Sequence, residues 1–218
     1  LGVVRRRQGR TPEAIDAWTQ ATRANPEHAS SWFNRGVALI DLQRLDEARD
    51  SLAAAIAAEP EHVNARHQLG LLEHTSGNFN DAATQWLAAA EIEHESWSHW
   101  HNAASALMDA ERFDEAYNAF AAALTVNPRS ATTLSSLAVL ERRRGRLEEA
   151  EQLARAALQL QPGMLDARCN LASVLLDRES WTESRELVDG VLADRPEHPV
   201  ALRLRELLDD AAATTTAA

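Results

Sequence analysis

Asn34, Gln68, Asn102, Ser136 and Asn170 stand 34 residues apart, so a hydrogen-bonding side chain recurs at one place in five successive stretches of the chain. Carboxamides both donate and accept, and a ladder of them could grip the backbone of an extended peptide whatever its side chains. Histidine is the second group with chemistry to offer. His67 and His101 are one interval apart, and His74 follows His67 by two helical turns. A pair on neighbouring helices could share a metal, but no spacing here matches an established ligand motif and no metal or other cofactor is assigned. Imidazole also titrates in the physiological range, which would make such a surface pH-sensitive. His28, His62 and His198 lie in PEH triplets and read as surface punctuation. Two arginine clusters, Arg5-Arg6-Arg7 with Arg10 and Arg142-Arg143-Arg144 with Arg146, suit the negative end of a helix dipole. Arg142 and Arg143 could in addition hold an acidic residue of a partner.

Other chemistries are excluded. All 22 basic residues are arginine, which rules out a lysine Schiff base or a phosphate-loop lysine. The lone Cys169 rules out an intrachain disulfide and a cysteine-based zinc site. There is no nucleophile–base constellation, so no enzyme activity is expected. A net charge of −11 argues against nucleic acid. No apolar run approaches the ~18–20 residues that span a membrane.

The elements that would position these residues follow from one period. Proline falls at 26, 60, 128, 162 and 196, and His94 fills the one gap in the series. Small residues recur at Ala14, Ala48, Ala82, Ala116, Ala150 and Ser184, and again at Gly2, Gly36, Gly70, Ala104, Ala138 and Ala172. Bulky ones recur at Trp18, Leu52, Trp86 and Phe120, an alternation that lets facing helices interdigitate. Each period holds two amphipathic stretches of about a dozen residues. Helices are expected near 12–24, 31–43, 46–58, 64–76, 80–92, 98–110, 114–126, 132–144, 148–160, 166–178 and 182–193. Gly9, Gly77 and Gly145 supply positive φ between paired helices, and acids such as Asp46-Glu47 and Glu148-Glu149 favour the following helix start.

These columns resemble the tetratricopeptide repeat (TPR), best seen in Trp32, Gly36, Leu39, Ala48, Leu52, Ala55 and Pro60. The resemblance implies an all-α fold, an α-solenoid of stacked antiparallel helix pairs wound as a right-handed superhelix. It divides the chain into a partial repeat at 1–28, full repeats at 29–62, 63–96, 97–130, 131–164 and 165–198, a capping helix at 199–210 and a disordered tail or linker at 211–218. In the family the first helix of each repeat lines a concave groove. Carried onto this sequence, that groove takes Asn34 and Val37, then Asn64, His67, Gln68, Leu71 and His74. It continues through His101, Asn102, Ser105 and Met108, then Ser136, Val139, Arg142 and Arg143, and ends with Asn170 and Ser173. The amide column resembles the asparagine ladder in the repeat domain of O-linked GlcNAc transferase. Arg66 and Glu73 replace the aromatic and tyrosine that the family prefers, so the 63–96 repeat is expected to bury less apolar surface. His94 marks the place for an altered inter-repeat angle, a longer helix, or a partner anchor through Trp97.

The expected function is a protein–protein interaction scaffold that binds a peptide or partner protein in the groove. A homo-oligomer formed through the N-terminal edge, or the targeting domain of a larger enzyme such as a glycosyltransferase, are the alternatives. Leu1 begins inside what should be a first helix, with no initiator Met, so an export signal could have been lost. A soluble, cytoplasmic setting is otherwise expected.

Overall fold

A computed structural model describes residues 1–216. Among them it contains thirteen α-helices: α1 (Gly2–Arg7), α2 (Thr11–Ala24), α3 (Ala29–Asp41), α4 (Leu45–Ala58), α5 (Val63–Thr75), α6 (Phe79–Ile92), α7 (Trp97–Asp109), α8 (Phe113–Val126), α9 (Ala131–Arg143), α10 (Leu147–Leu160), α11 (Leu165–Asp177), α12 (Trp181–Asp194) and α13 (Pro199–Thr216). They divide into two compact units, Leu1–Arg112 and the residues from Phe113 onward. Within each unit every helix packs on its neighbours in sequence, as in α3 with α4 and α9 with α10. The fold is an all-α solenoid of stacked helix pairs.

Two connections alternate. Three residues join the helices of a pair, and the middle one always has positive φ: Gly9, Gly77 and Gly145 at 75°, 81° and 77°, but Gln43, Glu111 and Glu179 at 58°, 60° and 60°. A side chain in that left-handed region costs roughly 1 kcal/mol, which glycine avoids. Four residues join successive pairs. The residue before four of the turn prolines is extended, with φ −141° at Asn25 and Glu59, −139° at Gln161 and −144° at Arg195. A proline forces its predecessor into that region. Glu93, which precedes His94, relaxes to φ −110°. Contrary to the expectation of a longer helix, α6 ends at Ile92 and residues 93–96 form a turn of the usual four residues.

The PEH histidines are not mere punctuation. The Nδ1 atoms of His28, His62 and His198 accept the backbone N–H of Ser31, Ala65 and Ala201 at 3.2, 3.2 and 3.3 Å, capping α3, α5 and α13. Ser130 caps α9 the same way through Oγ, accepting from Thr133 at 3.2 Å. Each such bond contributes about 1 kcal/mol. At the other end of the chain α13 runs to Thr216, past the expected stop at 210, so residues 211–216 are helical and not a disordered tail. Residues 217–218 of that expected tail lie outside the described residues.

The core follows the small and bulky columns. A methyl group on Gly70 would fall 2.8 Å from the indole of Trp86, so only glycine fits opposite that ring. In the second unit Ala138 and Ala154 occupy the same two columns and pack with Leu171 and Leu175. The departures at 66 and 73 are absorbed by hydrogen bonding. Trp32 Nε1 donates to the Pro26 carbonyl at 2.9 Å, and Arg66 copies it with Nε and Nη2 on the Pro60 carbonyl at 3.0 and 2.8 Å. Glu73, 5% exposed, accepts from Arg49 Nε at 2.6 Å and Asn78 Nδ2 at 2.7 Å. The hydrogen bond that Arg49 donates to Glu73 is also the first cause that raises the Arg49 pKa.

Candidate functional site

The helices α3, α5 and α7 carry the predicted groove residues of the first unit, and α9 and α11 those of the second. In the first unit Asn34, Gln68 and Asn102 are half-buried at equivalent positions, one turn from Val37, Leu71 and Ser105. Leu71 is 46% exposed, a large apolar side chain open to solvent beside the amides. Asn64 is exposed, and Met108 is half-buried near the end of α7.

The amides are not equivalent in what they hold. Asn34 Nδ2 donates to the Ser30 carbonyl of its own helix at 2.7 Å. Asn170 Nδ2 donates across to Ser135 Oγ on α9 at 2.9 Å. Among the described residues Gln68 and Asn102 make no hydrogen bond to the protein, so their amides remain open to a ligand. In the second unit Ser136 and Val139 are half-buried, while Ser173 is buried and donates its hydroxyl to the Cys169 carbonyl at 2.9 Å.

The charged groups at this face are largely engaged within the protein. Arg6 binds Asp41 at 2.7 Å, His74 Nε2 lies 2.9 Å from Asp109, and Arg142 Nε binds Asp177 at 2.6 Å. Arg142, expected to reach a partner, is therefore engaged by its own chain, while Arg143 stays exposed. A cavity of about 240 Å³ lined by Val3, Arg6, Arg7, Trp18 and Asn34 adjoins the first amide.

The histidines are arranged differently from their sequence spacing. His67 meets His99, with ring centroids 5.4 Å apart, and His101 packs against Trp97 at 5.9 Å. Burial lowers the pKa of both His67 and His101, and the nearby His99 lowers that of His67 further. Sequence reasoning missed His99, which is 7% exposed. Its column supplied a signal: the equivalent residues are Ser31, Ala65, Thr133 and Ala167, so an imidazole there must be packed inside. Among the described residues no group of three or more His, Cys, Asp or Glu is placed to hold a metal.

No reactive group emerges at the remaining candidate. Cys169 Sγ lies 3.9 Å from His198 Nδ1, but that nitrogen already accepts the Ala201 N–H. Burial pushes the thiol up to about 11, so it is not a thiolate nucleophile near neutral pH. Among the described residues no helix is long and apolar enough to cross a membrane.

Comparison with known proteins agrees with the repeat geometry. One family model of the tetratricopeptide repeat matches residues 1–58, 38–96 and 101–164, and a second matches residues 141–208. No curated protein sequence matches the chain. Among solved structures, YrrB, described as a TPR protein with an unusual peptide-binding site, shares the fold with a TM-score of 0.68 at 20% identity, over 88% of this chain and 99% of its own. MamA does so with a TM-score of 0.67 at 17% identity, over 74% of this chain and 95% of its own. A thermophilic TPR protein of Thermus thermophilus, TTC0263, gives 0.65 at 20% identity, over 83% and 98%. At these identities the likeness speaks to the fold alone; together with the two family models, it places the chain in the tetratricopeptide repeat family.

Proposed function

We propose that the chain is a protein-binding scaffold and that the face formed by α3, α5 and α7 takes an extended peptide segment. The observation that carries this reading is the pair of open amides, Gln68 and Asn102, beside the exposed Leu71. Amides can hold a peptide backbone through paired N–H and C=O contacts, while Leu71 offers apolar contact to one of its side chains. The Arg6–Asp41 ion pair neutralises one end of the rim and Asp109 is held by His74 Nε2, which favours a segment without strong charge. YrrB, whose description names a peptide-binding site, lends the reading support by analogy.

The test uses linear peptides selected on the full chain from an unbiased displayed library. Replacing Gln68 and Asn102 together by Ala should weaken the selected peptide about tenfold or more, given ~0.5–1.5 kcal/mol for each lost hydrogen bond. Asn34→Ala, whose amide N–H is held by Ser30, should do less. Unchanged affinity in the double variant would reject the amide pair as the binding element.

A further inference from the structure

The seam between α5 and α7 is built from imidazoles. His67 and His99 face each other at 5.4 Å with planes inclined at 60°, and His67 and His74 lie 6.3 and 5.7 Å from the Trp86 ring on α6. His99 Nε2 sits 3.2 Å from a carboxylate oxygen of Glu93 in the α6–α7 turn. That contact places the proton of the neutral ring on Nε2 and leaves Nδ1 a bare lone pair. The Nδ1 atoms of His67 and His99 are both sealed from solvent without a hydrogen-bond partner. A neutral ring tolerates this. A protonated one would carry a buried N–H with no acceptor and a charge directed at the other imidazole.

We propose that His67 and His99 form an acid-sensitive latch across the α5–α7 seam, closed while the paired rings are neutral and opened when His67 gains a proton. The other charged groups on the surrounding elements do not supply relief to His67. Arg49 on α4 is bound to Glu73 of α5, Arg66 of α5 to the Pro60 carbonyl, and Asp109 of α7 to His74. Glu93 reaches only His99, and His101 on α7 packs on Trp97.

The direction with pH follows from the lowered His67 pKa. The unfolded or opened chain binds a proton near the ordinary 6.5, before the closed one does. The closed state is therefore undiminished above that value and loses ground as pH falls below it. Each unit of pKa difference corresponds to about a tenfold change in the opening equilibrium.

Hydrogen exchange of the full chain between about pH 7.5 and about pH 5, corrected for intrinsic rates, tests this directly. Protection in residues 66–72 and 98–104 should fall about tenfold or more at the acid end, while the middle of α9 and α11 keeps its protection. His62 caps α5, so fraying confined to the first turn of that helix would report the cap. His67→Phe, which borrows the residue at the equivalent Phe33, should abolish the loss. Acid opening that survives in this variant overturns the proposal. Should the variant fail to fold, the wild-type pattern still decides: uniform loss, or none at the seam, overturns it equally.

Discussion

The seam between α5 and α7 and the seam between α9 and α11 occupy the same place two repeats apart, yet they are joined by different chemistry. At the first, His67 meets His99 and His74 meets Asp109. At the second, the equivalent residues are Ser135 and Arg142, which bind Asn170 and Asp177. A small hydroxyl at 135 lets the neighbouring amide reach across, whereas an imidazole at 67 turns to His99 and leaves the amide of Asn102 open. The fold tolerates both because backbone packing is set elsewhere, by the small and bulky columns. One seam is thus closed by a hydroxyl–amide hydrogen bond and a guanidinium–carboxylate pair, whereas the other exposes an amide and packs imidazole on imidazole.

The largest difference between the two seams is expected in the core beneath them. Trp86→Ala should cost about 3–5 kcal/mol, because the indole fills the space that Gly70 vacates. In the second unit Ala154→Gly at the equivalent position should cost only ~1 kcal/mol, mainly through helix propensity. Urea midpoints measure both, and similar losses would show that the two units do not differ in how they fill this column. Next comes the buried carboxylate. Arg49→Ala strands Glu73 with Asn78 alone and should cost about 3 kcal/mol. Adding Glu73→Leu, the residue found at 39, 107 and 175, should recover most of that loss. A double variant no better than Arg49→Ala would mean that the arginine acts through its packing. The smallest effect lies at the seams themselves. Asn170→Ala leaves the Ser135 hydroxyl, 2% exposed, without its partner and should cost ~1–2 kcal/mol. Asn102→Ala should stay within ~0.5 kcal/mol in stability, as expected for a side chain that holds nothing. Equal costs would remove the distinction between an engaged and an open amide.

From α2 to α12 the helix ends were legible to within one or two residues, because prolines, loop glycines and small columns act locally and recur, whereas the end of α13 has no such marker. What each polar residue does was less legible. Asn102 and Asn170 are identical in sequence position, and only the neighbour 35 residues upstream, His67 or Ser135, decides which one is open. Arg142 reads as a free cation until Asp177 is brought beside it. The role of Arg66 was hidden because a guanidinium and an indole share little except an N–H aimed at the same carbonyl.

Glycine and longer residues take turns at the left-handed loop position, and that beat governs which shortened chains would keep their contacts. Glu73 and Glu141 alternate with Leu39, Leu107 and Leu175 on the same beat, as do the pairs that begin at Arg6, His74 and Arg142. Excising the single repeat 63–96 would set Ile40 beside Asp109 and leave that carboxylate without its partner. Excising 29–96 would set Arg6 there instead, ready to form an ion pair. The backbone counts in steps of 34 residues, but the cross-seam contacts that begin at Arg6, His74 and Arg142 count in steps of 68.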